Sequence, residues 1–312
     1  MRSFSRCFLT LFALAALASS AGAQAPSAPP DEPNREINIM EHLGNSHTLE
    51  LPYWKPPYHY DIALPRWTPV RVGPLALDFS PTKHLVFMLL ASAIVIFVML
   101  YTSSAVRKAH AAGRPPRGFA AAMEAITLWV RQEVILPNVG HHGEGYVPYL
   151  LTVFYFILAC NLLGLVPWGA TATGNISVTG GMALISLFVI EVSGMRTLGA
   201  RGYLGTIFFV PAGVPTIMKP ILLVIMTPIE VISKLAKPFA LAVRLFANMT
   251  AGHVVLLALI GFAFAFQSYV VGGVASIGAT LIMVLELFVA FLHAFIFTLL
   301  TAVFVGLIRA EH

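Results

Sequence analysis

Long apolar runs separated by short basic loops are the main pattern of this chain. The stretch from Val147 to Ile190 carries no charged residue, and it is too long to cross a hydrocarbon core of ~30 Å only once. Pro167, Gly169 and Asn175 interrupt it, so it is predicted to form two spans. The whole pattern predicts an all-α polytopic membrane protein with five transmembrane helices, at about 85–106, 147–166, 176–193, 206–261 and 268–308.

The last two predicted helices are unusually long, and the first of them is rich in proline. Because proline breaks or kinks a helix interior, we expect its early part to be interrupted. The prolines of this region are Pro211, Pro215, Pro220, Pro228 and Pro238.

One apolar segment has a different pattern from the spans. Between 119 and 136 the apolar residues alternate with Glu124, Arg131 and Glu133 at helical spacing. A helix with one charged face and one apolar face lies along a membrane surface more readily than it crosses. We therefore predict an interfacial amphipathic helix here.

The N-terminus has the pattern of a secretory signal peptide. Arg2 and Arg6 precede a short apolar core, and the small residues Ala21 and Ala23 follow it at cleavage-site spacing. We predict a signal peptide over 1–23, an exported N-terminal segment over 24–82 whose role the sequence does not indicate, and a transmembrane domain over 83–312.

Composition and charge fix the class and the orientation. Hydrophobic residues make up 58% of the 312 residues and charged residues only 11%, against about 25% charged in soluble domains. The net charge of +5 comes from loop residues that set topology, so we expect a lipid bilayer and no nucleic acid as partner. The loop bases predict a multi-pass protein of the bacterial cell inner membrane, its N-terminus outside and its C-terminus cytoplasmic; they are Arg107, Lys108, Arg114, Arg117, Arg196, Arg201 and Arg309.

Candidate metal and disulfide chemistry is weak. The chain has two cysteines, one of them in the predicted signal peptide, which leaves no disulfide framework. His141, His142 and Glu144 lie in a glycine-rich turn, where a solvated loop is the better interpretation than a metal site. We expect neither a metal nor a cofactor.

Arg244 is the residue that carries most of the functional information. After it, no Asp, Glu, Lys or Arg occurs until Glu286. Arginine cannot neutralise itself by losing a proton, and a charge at membrane depth costs at least ~2.5–3.5 kcal/mol. Such a residue is typical of a functional site, although an arginine snorkelling from a helix end is the simpler alternative.

Helical spacing places further ionisable residues relative to Arg244. Glu230, Lys237 and Arg244 are seven apart in turn and share one stripe if the helix continues through Pro238, and Asn248 lies on that stripe. His253 is nine residues beyond Arg244 and is predicted to point to the opposite face.

The last helix carries a carboxylate and an imidazole on one face. Glu286 and His293 are seven residues apart. A buried carboxylate and imidazoles can exchange protons near neutral pH, which is the chemistry of a proton relay together with His253. We expect His253 and Glu286 to lie close enough to share a proton.

Three other interpretations stay open at this point. The residues could form a structural hydrogen bond that closes two helices. An intramembrane metal hydrolase would need a metal-binding motif that is missing here. Another ion-coupled secondary transporter would show two similar halves, and no internal repeat is visible.

The segment from Lys237 through Arg244-Leu-Phe-Ala-Asn248 to His253 closely resembles the signature of subunit a of F-type ATP synthases. The stretch Asn161 to Pro167 and the stretch His293 to Phe297 support the resemblance, which covers about 80 to 312. The extension before residue 80 looks longer than the family usually needs.

The resemblance implies a role in ATP synthesis through proton transport rather than catalysis. The chain would be the proton-translocating stator subunit of the membrane sector, CF(0), with the ring of c subunits, the b subunits of the stalk and the rest of the complex as partners. It would form two offset half-channels against the c-ring, so that proton flow drives rotation.

The same resemblance implies a role for each site residue. Arg244 would be essential, facing the rotor carboxylate and blocking leak between the half-channels, with Asn248 beside it. Glu230, and with less support Lys237, would belong to the cytoplasmic-side path. The outer-side path would contain His253, Glu286 and His293. Many bacterial members carry Glu where His253 stands and His where Glu286 stands, so this chain has the swapped pair of the mitochondrial relatives.

Overall fold

Helices form nearly all of the computed structural model of this protein. It describes residues 44, 46–52, 59–68, 70–72, 75–78, 80–140, 143–166, 169–208, 215–266 and 268–310. The predicted signal peptide lies outside the described residues, as do residues 24–43 and the pair His141 and His142. The helices are α1, Lys83–Ala111; α2, Phe119–Trp129; α3, Leu136–Val139; α4, Val147–Gly164; α5, Ile176–Ile207; α6, Lys219–Ala265; and α7, Tyr269–Ala310.

The predicted all-α membrane class is confirmed. Within the described parts of the chain, five helices are long and apolar enough to span a membrane: α1, α4 with the turn before it, α5, α6 and α7. Most boundaries differ from the predicted ones by a few residues, which is usual for helix ends. There are two exceptions: α5 continues to Ile207 rather than ending near 193, and α6 begins at Lys219 rather than near 206.

The segment before the first span contains two short β-hairpins that the sequence pattern did not predict. Strand β1, Thr48–Pro52, pairs antiparallel with β2, His59–Ala63, and β3, Val70–Val72, pairs with β4, Leu75–Leu77. They are small additions to a helical protein. The backbone just before β1 is bonded to the start of α1, since Lys83 N donates to Ser46 O at 3.0 Å.

The core of the molecule is built around α4. This helix packs against α1 on one side and α7 on the other, and α7 also contacts α5 and α6. Leu150, Phe154 and Ile157 of α4 are fully buried, as is Ala294 of α7. The Phe154 ring meets Phe291 edge to face at 5.7 Å, a favoured aromatic geometry.

The predicted interfacial segment is one nearly continuous helical rod. Helix α2 passes through a π-helical turn, Val130–Ile135, into α3. Trp129 stacks on Phe291 and Phe295 of α7, with centroids 6.4 and 5.8 Å away. At the other end of the rod, Arg309 donates to Val139 O at 3.0 Å. The rod therefore packs along α7; its position in the membrane interface stays a prediction.

The two long helices cannot both stand upright in a bilayer. Helix α6 has 47 residues and α7 has 42. At 1.5 Å per residue they measure roughly 70 and 63 Å, about twice the hydrocarbon thickness. They must tilt steeply or extend beyond the core. Pro228 and Pro238 lie inside α6, and the helix continues through both.

A glycine break divides α5. Gly199 has φ 70° and ψ 169°, a conformation that suits a residue without a Cβ, and the helical segments before and after it change direction there. The break falls between Arg196 and Arg201, where the sequence predicts a loop. The short segment 200–207 is thereby free to turn back toward α6, which it contacts.

Candidate functional site

Arg244 lies on an exposed face of α6. Since the helix continues through Pro238, the predicted stripe of Glu230, Lys237, Arg244 and Asn248 exists as one helical surface. Leu245, one position on, is buried against the rest of the bundle. Among the described residues, the guanidinium of Arg244 has no hydrogen-bond or ion-pair partner. A permanent cation without a partner among the described residues is therefore presented on the surface of α6, beside the exposed side chains of Ala240, Ala247 and Asn248.

His253 contacts two other parts of the chain, and we call Thr171, His253 and Glu286 the His253 cluster. Its Nε2 lies 2.7 Å from Thr171 Oγ1, and its Nδ1 lies 3.4 Å from Glu286 Oε1. Thr171 belongs to the loop between α4 and α5, and Glu286 to α7. This geometry agrees with the expectation that His253 and Glu286 lie close enough to share a proton. The Thr171 contact gives the other ring nitrogen a partner.

A glycine makes this close contact possible. Gly252 of α6 faces the Glu286 carboxylate so closely that a Cβ added there would overlap it. Glu286 is only 6% exposed, and its second oxygen, Oε2, has no hydrogen-bond partner among the described residues. A buried carboxylate oxygen of this kind binds water or shares a proton.

His293 is bonded to both long helices. Its Nδ1 lies 2.7 Å from Val289 O in its own helix, and its Nε2 lies 2.5 Å from the Asn248 amide nitrogen. A carbonyl can only accept, so Nδ1 carries the proton and Nε2 accepts from Asn248. This assigns a neutral imidazole to His293.

The two buried contacts form one row along α7. Glu286 and His293 lie about 10.5 Å apart along the helix axis, on one face as predicted. Asn248 and His253 are about 140° apart around α6, yet each contacts a residue of that row. Two different faces of α6 therefore contact this row of α7: Asn248 on the Arg244 stripe contacts His293, and His253 on the opposite face contacts Glu286.

Glu230 and Lys237 line a different opening, which we call the Lys234 cleft. It is an open cleft of about 520 Å³ between α5, α6 and α7, and its walls include Glu191, Thr206, Lys234 and Phe304. Lys237 Nζ lies 5.1 Å from the Phe304 ring centroid, within cation–π range. Glu230 is half-buried in the wall.

Sequence reasoning missed an ion pair in this cleft. Glu191 of α5 and Lys234 of α6 lie 3.7 Å apart, and their side chains are 19% and 15% exposed. Tyr203 donates to Glu191, and Lys234 donates to Thr206 at 3.1 Å. The signal was present, because both charges interrupt apolar runs as Arg244 does. The break at Gly199 brings Tyr203 and Thr206 back to the pair.

A second polar contact, made by Asn161, holds the loop that carries Thr171. In the sequence, Asn161 was noted only as part of the stretch from Asn161 to Pro167. Asn161 is fully buried at the end of α4. Its amide donates to Ala290 O at 3.2 Å, and its carbonyl accepts from Thr173 at 2.6 Å. Asn161 thus joins α4, α7 and the loop.

Within the parts that the structure describes, no group of three His, Cys, Asp or Glu side chains is arranged to bind a metal.

Comparison with known proteins gives one consistent result. The family model described as "ATP synthase A chain" matches residues 85–306. The chain is 44% identical over 288 residues to "ATP synthase subunit a 2" of Chlorobium luteolum, covering 92% of this chain and 79% of that one. It is 48% identical over 235 residues to "ATP synthase subunit a 2" of Prosthecochloris aestuarii, covering 75% and 70%.

A third relative bears on the N-terminal extension. "ATP synthase subunit a" of Chlorobium phaeobacteroides (strain DSM 266) is 42% identical over 305 residues, covering 96% of this chain and 84% of that one. An alignment of that length includes most of the segment before α1. The extension that looked longer than the family usually needs is therefore present in this relative as well.

Proposed function

The chain belongs to the ATP synthase A chain family, and we propose that it is the proton-translocating stator subunit of an F-type ATP synthase, forming two offset half-channels against a ring of c subunits. The observation that carries the proposal is the position of Arg244. It is an exposed cation that has no partner among the described residues, and it lies between two separate sets of ionisable residues. One set is the His253 cluster with His293, and the other lies in the Lys234 cleft.

The His253 cluster is the outer-side path in this proposal. It contains a carboxylate and an imidazole in contact, and His293 continues the row toward Asn248, one helical turn from Arg244. A proton can pass between Glu286 and His253 because Oε1 and Nδ1 lie 3.4 Å apart and both a carboxyl group and an imidazole can donate or accept a hydrogen bond. The row ends beside the surface where a rotor carboxylate would pass.

The Lys234 cleft is the cytoplasmic-side path. Glu230 is the group that exchanges protons there, and Lys237 at the rim contributes positive charge near the opening. The Glu191 carboxylate is already matched by Lys234 and Tyr203. Glu230 has no such ion-pair partner among the described residues, so it is the carboxylate of the cleft that is available for transfer.

Arg244 separates the two paths. A fixed cation favours the ionised form of a carboxylate close to it, so a rotor carboxylate releases its proton as it passes. The same charge repels a proton that would move directly from one path to the other. The protein makes no covalent bond; the b subunits and the remaining subunits hold it against the rotor, and ATP is made elsewhere in the complex.

The orientation follows the charge pattern. In this proposal the protein lies in the bacterial inner membrane, with its N-terminus outside after a signal peptide and its C-terminus in the cytoplasm. The loop with Thr171 is then outside, and the break at Gly199 is inside. The two paths open on opposite sides.

The decisive experiment replaces Arg244. We expect Arg244→Ala to abolish ATP-driven proton pumping in membrane vesicles while the assembled complex still hydrolyses ATP. Arg244→Lys should also fail, because a desolvated ammonium can lose its proton and lacks the planar guanidinium. Arg201→Ala is the matched control, since it removes an exposed arginine at the Gly199 break and should pump normally. Coupled pumping by Arg244→Ala would refute the proposal.

A further inference from the structure

A small cavity lies directly beside the His253 cluster. It encloses about 360 Å³ including its open mouth, and its lining comes from three separate parts of the chain. His84 comes from the start of α1, Thr171 from the α4–α5 loop, and Thr250 and His253 from α6. In the proposed orientation all three parts belong to the outer side of the membrane.

The polar groups around the cavity suit bound water. Thr250 Oγ1 in the cavity lining is a buried oxygen without a hydrogen-bond partner among the described residues, and so is Oε2 of Glu286, which contacts His253 behind the lining. Buried polar atoms that lack a protein partner are the usual binding sites of internal water. The Thr171 hydroxyl and the His253 ring supply further donors and acceptors. Water in the cavity would therefore connect His84, Thr171, Thr250 and His253, and His253 is in contact with Glu286.

His84 is held in the cavity wall by the segment that precedes it. The His47 Nδ1–H donates to Pro81 O at 3.0 Å, and Lys83 N donates to Ser46 O at 3.0 Å. These bonds fix the backbone immediately before His84, which is itself only 3% exposed. The first hairpin is thus attached at the point where the cavity meets the outer end of α1.

We propose that His84 is a further proton-path residue, which passes protons from outer water through the cavity to His253 and Glu286; this rests on the proposed function. A neutral imidazole has one donor and one acceptor nitrogen, so it can take a proton on one side and release one on the other. His84 and His253 are the two ionisable side chains in the described wall of the cavity. Protons that use this route must pass one of the two rings or the water between them.

The test measures passive proton flux in vesicles stripped of the peripheral subunits and driven by a potassium diffusion potential. We expect His84→Ala to lower the flux several-fold and His84→Gln to lower it similarly, because glutamine fills space without carrying a proton. His110→Ala is the matched control, since His110 is an exposed histidine at the other end of α1, where it contacts Glu124. It should conduct like wild type.

Chemical rescue distinguishes a proton path from a structural role. Added imidazole should restore much of the flux in His84→Ala, after correction for its effect on wild type in the same buffer. Immunoblots of the subunit in the membrane normalise each flux, and His84→Gln gives the reading if the alanine variant does not assemble. Unchanged flux, or a loss that imidazole does not relieve in an assembled variant, would overturn the proposal.

A parallel variant separates this inference from the proposed function. If Arg244→Ala abolishes coupled pumping while His84→Ala conducts normally, only the role of His84 is wrong. If Arg244→Ala pumps normally, the assignment of the whole site fails and the His84 result loses its premise.

Discussion

The His253 cluster and the Lys234 cleft use similar ingredients for different purposes. Each contains a buried or half-buried carboxylate close to a side-chain nitrogen. The distance is 3.4 Å from Glu286 Oε1 to His253 Nδ1 and 3.7 Å from Glu191 Oε2 to Lys234 Nζ. Imidazole gains and loses a proton near neutral pH, whereas a paired ammonium keeps its charge. The first pair is therefore suited to transferring protons, and the second to holding α5 against α6.

The two regions also differ in how tightly they are packed. The His253 cluster is tightly packed, with Gly252 allowing the Glu286 carboxylate to approach the backbone of α6. The Lys234 cleft is open, and its pair is saturated by Tyr203 and Thr206. If this contrast is right, changes in the cluster should alter proton flux strongly, and changes to the cleft pair should alter it weakly.

Between these two regions, the largest effect is expected from exchanging the members of the His253 cluster. His253→Glu and Glu286→His as single changes should each lower proton flux by about 100-fold, because two like groups then face each other and shift each other's protonation. The double exchange restores a carboxylate beside an imidazole and should recover part of the flux. Flux is measured in vesicles over a range of pH. A double variant no better than the worse single one would show that the pair does not work as a unit.

The second effect tests the close approach at Gly252. Gly252→Ala should lower flux by about tenfold, because the new Cβ would displace the Glu286 carboxylate or push the helices apart, as overpacking does. Gly261→Ala on the same helix is the control, since nothing lies within 4 Å of a Cβ there. It should leave flux unchanged. Equal flux in the two variants would mean that the packing of the cluster is unimportant.

The third and smaller effect tests the ion pair of the cleft. Glu191→Gln and Lys234→Gln should each lower the amount of assembled complex a few-fold, because each leaves one charge without its partner. The double variant should recover assembly, and its flux per complex should be close to wild type. Glu230→Gln in the same cleft should assemble normally and lose flux. If Glu191→Gln loses flux per complex while Glu230→Gln does not, the roles of the two carboxylates are reversed.

The smallest effect on activity is expected from cysteines that report topology. Ser268→Cys and Asn45→Cys should react with an impermeant thiol reagent from outside, and Ala111→Cys and Ala200→Cys only from inside. Cys160 is buried and should add little background. Labelling of both Ser268→Cys and Ala200→Cys from one side would place the two proposed paths on the same face of the membrane and remove the contrast between them.

Much of this protein was determined by its sequence. The five spans followed from the length of the apolar runs, because a bilayer requires about 20 apolar residues per crossing. The stripe through Glu230, Arg244 and Asn248 followed from helical spacing, which is a local property of the backbone. The Arg244 motif also resembled the family that the comparisons then showed.

The tertiary structure decided which of these residues meet. The contacts of His253 with Thr171 and Glu286 join positions 82 and 33 residues apart, and the pairing of Glu191 with Lys234 depends on how α5 turns at Gly199. His84 reached the same cavity as His253 only because α1 packs beside the α4–α5 loop. Periodicity fixes the direction of a side chain around its own helix axis, but the neighbour in that direction is set by helix packing between distant parts of the chain.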